Sequence, residues 1–330
     1  MSKDRFLGEQ LMPFAVARIR SRENTLLSDQ DLKNLMGCQT YSECIQYLLD
    51  RGWGPTANNT PEELISLEKD RLQELTESLL KAEESKYLDV FRITDDYHNL
   101  KAAIKESYIQ KEVPGIYMDG GVLDADLIRR CAADGEFGAL PSEMAHAAEK
   151  ARDILFRTGD SQLCDVIIDR ECLESLKRSA RSTGNELLAE YAQLRCAAAN
   201  INIAVRAVRA GKDEEFLKEA LVECDTVSPS RLILASRNGL DEVYEYLEQT
   251  VYKDAVDAIK ESPAAFDRWC DTRMMQLIRP QKYNAFTISP IAAFVLAKNC
   301  EIKSVRLILS GKRNHLPDEK IRERLRESYV

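Results

Sequence analysis

An all-α fold is expected for this 330-residue sequence on three observations: apolar residues recur with a period near 3.6, helix-start signals are written several times, and hairpin dipeptides between alternating β-branched runs are absent. In order along the chain, Asp31-Leu32 leads to Met36-Gly37, a short helix closed by glycine. Thr60-Pro61-Glu62-Glu63 is a capping box with proline at the first helical position, opening a stripe of Leu64, Leu67, Leu72, Leu75 and Leu79. Asp126-Leu127-Ile128 leads to Gly135. Met144, Ala147, Ala148, Ala151, Ile154 and Leu155 form one helical face, and Leu163, Val166, Ile167 and Leu173 continue after Gly159. Leu187, Leu188, Tyr191, Leu194, Ala198, Val205 and Val208 define a longer helix. Ser228-Pro229, Ser262-Pro263 and Ser289-Pro290 repeat the cap-then-proline signal, and Gly211, Gly239 and Gly311 stand where helices should stop. At a typical length of about 11–12 residues, roughly 13 to 18 helices are expected.

Composition narrows the function classes. Hydrophobic residues at 44% and charged residues at 31% give a globular balance, far from disorder. No run of 18 apolar residues predicts a membrane span, and Met1-Ser2-Lys3-Asp4-Arg5 is followed by no apolar signal region, so the expected location is the cytosol. Nine cysteines without a C-x-x-C spacing read as reduced, mostly core thiols. The net charge of −9 argues against a nucleic-acid protein, yet from Lys298 onward nine Lys/Arg stand against five Asp/Glu, a net of +4. That basic end on an acidic body is a candidate docking surface, or a solvated helix face.

The most informative feature is repetition over about one hundred residues. The segment INIAVRAVRAGK begins at Ile201 and EIKSVRLILSGK at Glu301, with Val205 matching Val305, Arg206 matching Arg306 and Gly211-Lys212 matching Gly311-Lys312. A weaker copy is Asn99-Leu100-Lys101-Ala102-Ala103-Ile104. The glycine-closed short helices also recur, with Gly37, Gly135 and Gly239 lying 98 and 104 residues apart. Three related helical units are therefore expected, at 1–117, 118–226 and 227–330. The stretch from Pro114-Gly115 to Gly120-Gly121 separates the first two, and Asp225-Thr226-Val227 the last two. Like units pack through like surfaces, so three can close about a pseudo-threefold axis.

No catalytic motif emerges. The histidines His98, His146 and His315 lie far apart, and Glu143-x-x-His146 lacks the second half of a di-iron motif. Ser310-Gly311-Lys312 ends like a phosphate-binding loop, but Arg306 and Arg313 stand where that loop needs glycine and Ser/Thr. Gly211 and Gly311 read instead as helix C-caps, with Lys212 and Lys312 facing the negative helix end. Asp95-Asp96 and Glu83-Glu84, adjacent in sequence, point to different helix faces and make poor carboxylate dyads. No catalytic residue, cofactor or metal is expected.

Two segments resemble one family. Phe14-Ala15-Val16-Ala17-Arg18-Ile19-Arg20-Ser21-Arg22-Glu23-Asn24-Thr25-Leu26-Leu27 is similar to the opening of the C subunits of V/A-type rotary ATPases, whose eukaryotic counterparts are the d subunits, with Phe14 in place of the usual tyrosine. Glu301 to Arg306, Gly311-Lys312, Ile321 to Leu325 and Tyr329-Val330 resemble that family's ending. The resemblance implies a funnel of three similar helical domains. It implies a non-catalytic central-stalk rotor component joining the shaft, made of the D and F subunits, to the membrane proteolipid ring at the cytoplasmic face of the membrane. ATP sites would lie in other subunits, and the coupled ion would be H⁺ or Na⁺. Pseudo-equivalence places a partner-facing rim at Gly37, Gly135 and Gly239, and a basic contact at Arg306, Lys312 and Arg313. The alternative is a generic all-helical cytosolic scaffold.

Overall fold

The computed structural model describes residues 3–54 and 60–330, with side chains described from Met12 onward. Among the described residues there are only helices and loops, with no strand. In chain order the α-helices are α1 (Lys3–Glu23), α2 (Asp29–Gly37), α3 (Tyr41–Asp50), α4 (Pro61–Leu79), α5 (Ala82–Ser85), α6 (Ile93–Ile109), α7 (Ala125–Asp134), α8 (Ser142–Thr158), α9 (Ser161–Ser182), α10 (Glu186–Arg209), α11 (Glu214–Ala220), α12 (Pro229–Asn238), α13 (Leu240–Glu248), α14 (Val256–Glu261), α15 (Pro263–Ile278), α16 (Ser289–Arg313) and α17 (Asp318–Arg322). Among the described residues three short 3-10 turns complete the set: Lys86–Phe91, Lys253–Ala255 and Arg279–Tyr283.

The chain divides into two compact units. One joins the two ends of the sequence, Met1–Ser85 with Asp257–Val330; the other is Lys86–Val256. The middle unit is built on α6 and α7 against the long antiparallel pair α8 and α9. Its main core holds Leu100, Ile104, Ile128, Phe137, Met144, Ala148, Ala151, Leu155 and Ile168. The alanine face of α8 lets α9 approach closely, which is why that helix carries alanine where others carry leucine.

The end-to-end unit is organised around α16. Its buried face, including Ile302, Val305, Ile308 and Leu309, packs with Leu32, Leu35, Cys44, Ile45, Leu48, Trp53, Leu64 and Ile65. Beside this core lies a buried charged cluster. Lys298 of α16 is paired with Glu68 of α4 at 2.8 Å and with Glu301 at 2.6 Å, and its ammonium stands 4.4 Å from the Trp53 ring centroid. Glu301 also accepts the Leu27 backbone N–H, and Arg71 pairs with Glu68 while donating to the Gly52 carbonyl. Glu68 therefore interrupts the leucine stripe of α4: Leu64 is buried, whereas the stripe beyond Glu68 is not.

The C-terminal tail has no regular structure but is held at many points. Arg279 donates to the Ser328 carbonyl and Lys282 to that of Tyr329. The Ser328 N–H reaches Asp29, and the Tyr329 hydroxyl reaches Glu23. Burial pushes the Tyr329 phenol well above its ordinary range.

Helix starts follow the local signals closely, and helix stops follow them less closely. Thr60 and Glu63 form the capping box, and Ser228 and Ser262 cap α12 and α15. Ser289 is not a cap: it is the first residue of α16, preceded by Ile288. Gly211 does end a helix, at φ 64°, with the Lys212 N–H returning to the Ala207 carbonyl. Gly311 does not. It lies inside α16, and the Ile321 side chain packs where its Cβ would stand, which is what requires glycine there. The left-handed stop has moved to His315 at φ 53°, and the Leu316 N–H returns to the Gly311 carbonyl. Lys312 still lies in the last turn of α16, where it pairs with Asp318 at 2.8 Å.

Lys298 neutralises two carboxylates inside a core, so removing it leaves buried charge uncompensated. Lys298→Ala is expected to destabilise the end-to-end unit by about 3 kcal/mol or more, measured by urea unfolding. A loss below about 1 kcal/mol, the value of a surface pair, would contradict this assignment.

Candidate functional site

The six positions that the sequence singles out fall in different places. Gly37 is the last residue of α2, with Cys38 as its cap, and is exposed. Gly135 caps α7 in the left-handed conformation, at φ 74°. A Cβ there would press on the Arg152 guanidinium, which lies 4.4 Å from the Phe156 ring centroid. Gly239, at φ 118°, is at once the end of α12 and the entry to α13, a backbone that only glycine adopts without strain. Arg306 is exposed and carries no ion pair among the described residues. Lys312 is 9% exposed at the side chain and is engaged by Asp318, and Arg313 lies 3.5 Å from Glu62. The basic cluster is therefore one open arginine beside two paired cations.

What the three glycine-ended helices share is their entry. Ser28 caps α2, Asp124 caps α7 and Ser228 caps α12, each accepting an N–H of the first turn. The residues just before two of these caps, Leu27 and Leu123, donate their backbone N–H to a carboxylate on a long helix: Glu301 of α16 and Asp96 of α6. A second clasp recurs five residues earlier. Asn99 of α6 donates to the Met118 carbonyl and accepts the Met118 N–H, both at 2.8 Å. Asn200 of α10 does the same with Val222, at 2.8 and 3.0 Å. Met118 precedes Leu123 as Val222 precedes Val227, the residue before the Ser228 cap.

These clasps explain the glycines of the first linker. A Cβ on Gly120 or Gly121 would collide with the Asp95 or Asp96 carboxylate, so the pair lets α6 approach the stretch of chain it grips. Arg92 donates to the Gly120 and Gly121 carbonyls, and Glu106 accepts from the Val113 N–H and the Tyr117 hydroxyl. Asp95 and Asp96, adjacent in sequence, both address this linker. Burial raises the Asp96 carboxyl to about 6 in spite of the Leu123 and Val122 N–H groups that favour its charged form. Burial likewise raises Glu301, with Lys298 opposing.

The repeats in the sequence mark the Asn99 and Glu301 segments but not what these residues hold. The available signal is polar residues, Asn99, Asn200 and Glu301, at positions that periodicity makes inward-facing. Tyr283 and Phe286 carry no such signal. They are 92% and 80% exposed, on a loop fixed by Arg20 donating to the Gln281 and Asn284 carbonyls. Among the described residues no group of three metal-ligating side chains gathers. An open groove of about 440 Å³ lies between α6 and α7. It is lined by Glu106, Glu112, Asp126 and Arg129, and the arginine pairs with all three acids. No helix among the described residues is long and apolar enough to cross a membrane.

The raised Asp96 value has a definite sign. The folded state binds the proton more tightly than the unfolded chain, so this group's contribution to stability is full below about pH 4 and is lost as pH rises through about 6. A ¹³C carboxyl titration of Asp96 is expected to show a midpoint near 6; a midpoint at or below about 4, the ordinary aspartate value, would contradict the buried clasp.

Comparison with known proteins places the chain in a family. A family model described as "ATP synthase (C/AC39) subunit" matches residues 15–324. Relatives include the C subunit of the V-type sodium ATPase of Enterococcus hirae, 22% identical over 325 residues, covering 94% of this chain and 97% of that protein. Another is the C subunit of the A-type ATP synthase of Methanocaldococcus jannaschii, 24% identical over 359 residues, covering 96% of this chain and 86% of that protein. The matched range takes in the clasping carboxylates, asparagines and glycines, and the chain belongs to the ATP synthase (C/AC39) subunit family.

Proposed function

We propose that this chain is the non-catalytic central-stalk subunit of a V/A-type rotary ATPase, at the cytoplasmic face of the membrane. It receives the D–F shaft and sits on the proteolipid ring, while ATP is turned over in other subunits. Torque passes through it to H⁺ or Na⁺ transport. The observation that carries the reading is the family match over residues 15–324, nearly the whole chain.

The three-unit arrangement at 1–117, 118–226 and 227–330, about a pseudo-threefold axis, is part of the same proposal. Its support is the recurring clasp. Each long helix that closes one repeat packs on the hairpin that opens another: α6 on α7, α10 on α12, and α16 on α2 and α3. The last pairing returns from the end of the chain to its beginning. Repeats of this kind need not coincide with the compact units, since a repeat is a unit of sequence and a compact unit is one of packing.

Partner contact is proposed at the rim near Gly37, Gly135 and Gly239 and at the basic positions Arg306, Lys312 and Arg313. Arg306 leads the basic group because its charge is not already neutralised within the described chain. Many modest contacts suit a ring of identical loops whose symmetry differs from that of the socket.

The test is reassembly. ATPase membranes stripped of this subunit are supplied with the purified chain and with D and F, and shaft retention on the ring is measured by co-sedimentation. Retention should return with the chain; no retention with a folded chain would remove the reading and favour a generic scaffold. Arg306→Glu should weaken retention roughly fivefold, equivalent to about 1 kcal/mol, with unchanged thermal unfolding. The deficit should shrink as salt rises. Unchanged retention at physiological salt would exclude Arg306 as a contact.

A further inference from the structure

Two of the nine cysteines stand side by side at the tip of one helical hairpin. Cys38 caps the end of α2 and is partly exposed; Cys44 sits in α3, fully buried. The Cys38 thiol donates to the Asn34 carbonyl at 3.6 Å and the Cys44 thiol to the Leu35 carbonyl at 3.5 Å. These are consecutive carbonyls in the last turn of α2, which brings the two sulfurs together. The two thiols lie close enough that Cys38 acts directly on the Cys44 thiol. All nine cysteines are free thiols in this structure.

We propose that Cys38 and Cys44 are a reversible dithiol/disulfide site that clamps the α2–α3 hairpin beside Gly37. The inference does not rest on the proposed function, and concerns only the chemistry of this hairpin. Exposure fixes the order of events. Cys38 meets the oxidant, a low-molecular-weight disulfide such as oxidised glutathione. Its thiol loses its proton, its sulfur attacks, a Cys38–glutathione disulfide forms, and one glutathione leaves as the thiol. Cys44 then loses its proton, attacks the Cys38 sulfur, and expels the second glutathione. Two protein thiols and one glutathione disulfide thus become one protein disulfide and two glutathione thiols.

Burial pushes the Cys44 thiol up to about 12, so it remains protonated until a mixed disulfide is held against it. The second step is accordingly the slow one, and rotation of the Cys38 side chain brings the sulfurs into bonding geometry. The clamp closes a short loop around Gln39 and Thr40, where Thr40 caps α3. Oxidation therefore stiffens the apex of the hairpin without disturbing its core residues Leu35, Ile45 and Leu48.

The full chain is incubated with oxidised glutathione at mildly alkaline pH, quenched with N-ethylmaleimide and digested with trypsin. Residues 34–51 form a single tryptic fragment containing both cysteines and no internal Lys or Arg. The expected product is that fragment lighter by about 2 Da, carrying no maleimide, and restored by dithiothreitol. In Cys44→Ser the reaction should stop at a glutathione adduct on Cys38. Three outcomes would overturn the proposal: a wild-type fragment that stops at the Cys38 adduct, one that takes up two maleimides, or one whose Cys38 pairs with another cysteine.

Discussion

A backbone N–H in the irregular chain leading to a helix cap has no partner within that helix, and burying it unpaired costs about 1–3 kcal/mol. The chain brings Leu27, Leu123, Met118 and Val222 into this position and meets each with a polar side chain from a long helix: Glu301, Asp96, Asn99 and Asn200. The carboxylates are harder to accommodate than the amides. Asp96 tolerates burial by standing next to the chain that Gly120 and Gly121 leave open. Glu301 tolerates it through Lys298, which in turn draws in Glu68 and Trp53. The rest of the end-to-end unit follows from that demand: α4 must carry an acid in its apolar stripe, and the two ends of the sequence must meet.

This dependence also explains where mechanical stiffness would reside. Apolar helix faces slide at modest cost, whereas a bidentate amide or a buried ion cluster has one geometry. The clasps fix the register between a closing helix and the next entry, and close-packed cores fill the remaining space. A subunit proposed to transmit torque needs that combination. The C-terminal tail adds a further tie, since Ser328 and Tyr329 reach Asp29 and Glu23 across nearly the whole sequence.

The all-α class and most helix positions are legible in the sequence because periodicity and N-caps are local signals. The seven apolar positions of α10 lie within one helix, and the capping box at Thr60 forms as its residues dictate. Stops are less legible, because a stop depends on what packs against it. Gly311 has the sequence of a cap, yet Ile321 fills the space above it and His315 takes over the left-handed turn. The clasps are only half legible. The repeated polar positions are visible, but their partners lie in irregular chain that has no periodicity to read. Lys298 illustrates the same limit: a lysine in a basic stretch reads as solvated, and only the fold places it between two buried acids.

The central claim is coupling, and it is tested most directly by the ratio of ions moved to ATP hydrolysed in reconstituted vesicles, with and without this chain. ATP hydrolysis is expected to persist in complexes lacking the chain, while ion transport falls to background and returns when the purified chain is added with D and F. Transport that continues undiminished without the chain would contradict the account, as would ATP hydrolysis by the purified chain alone.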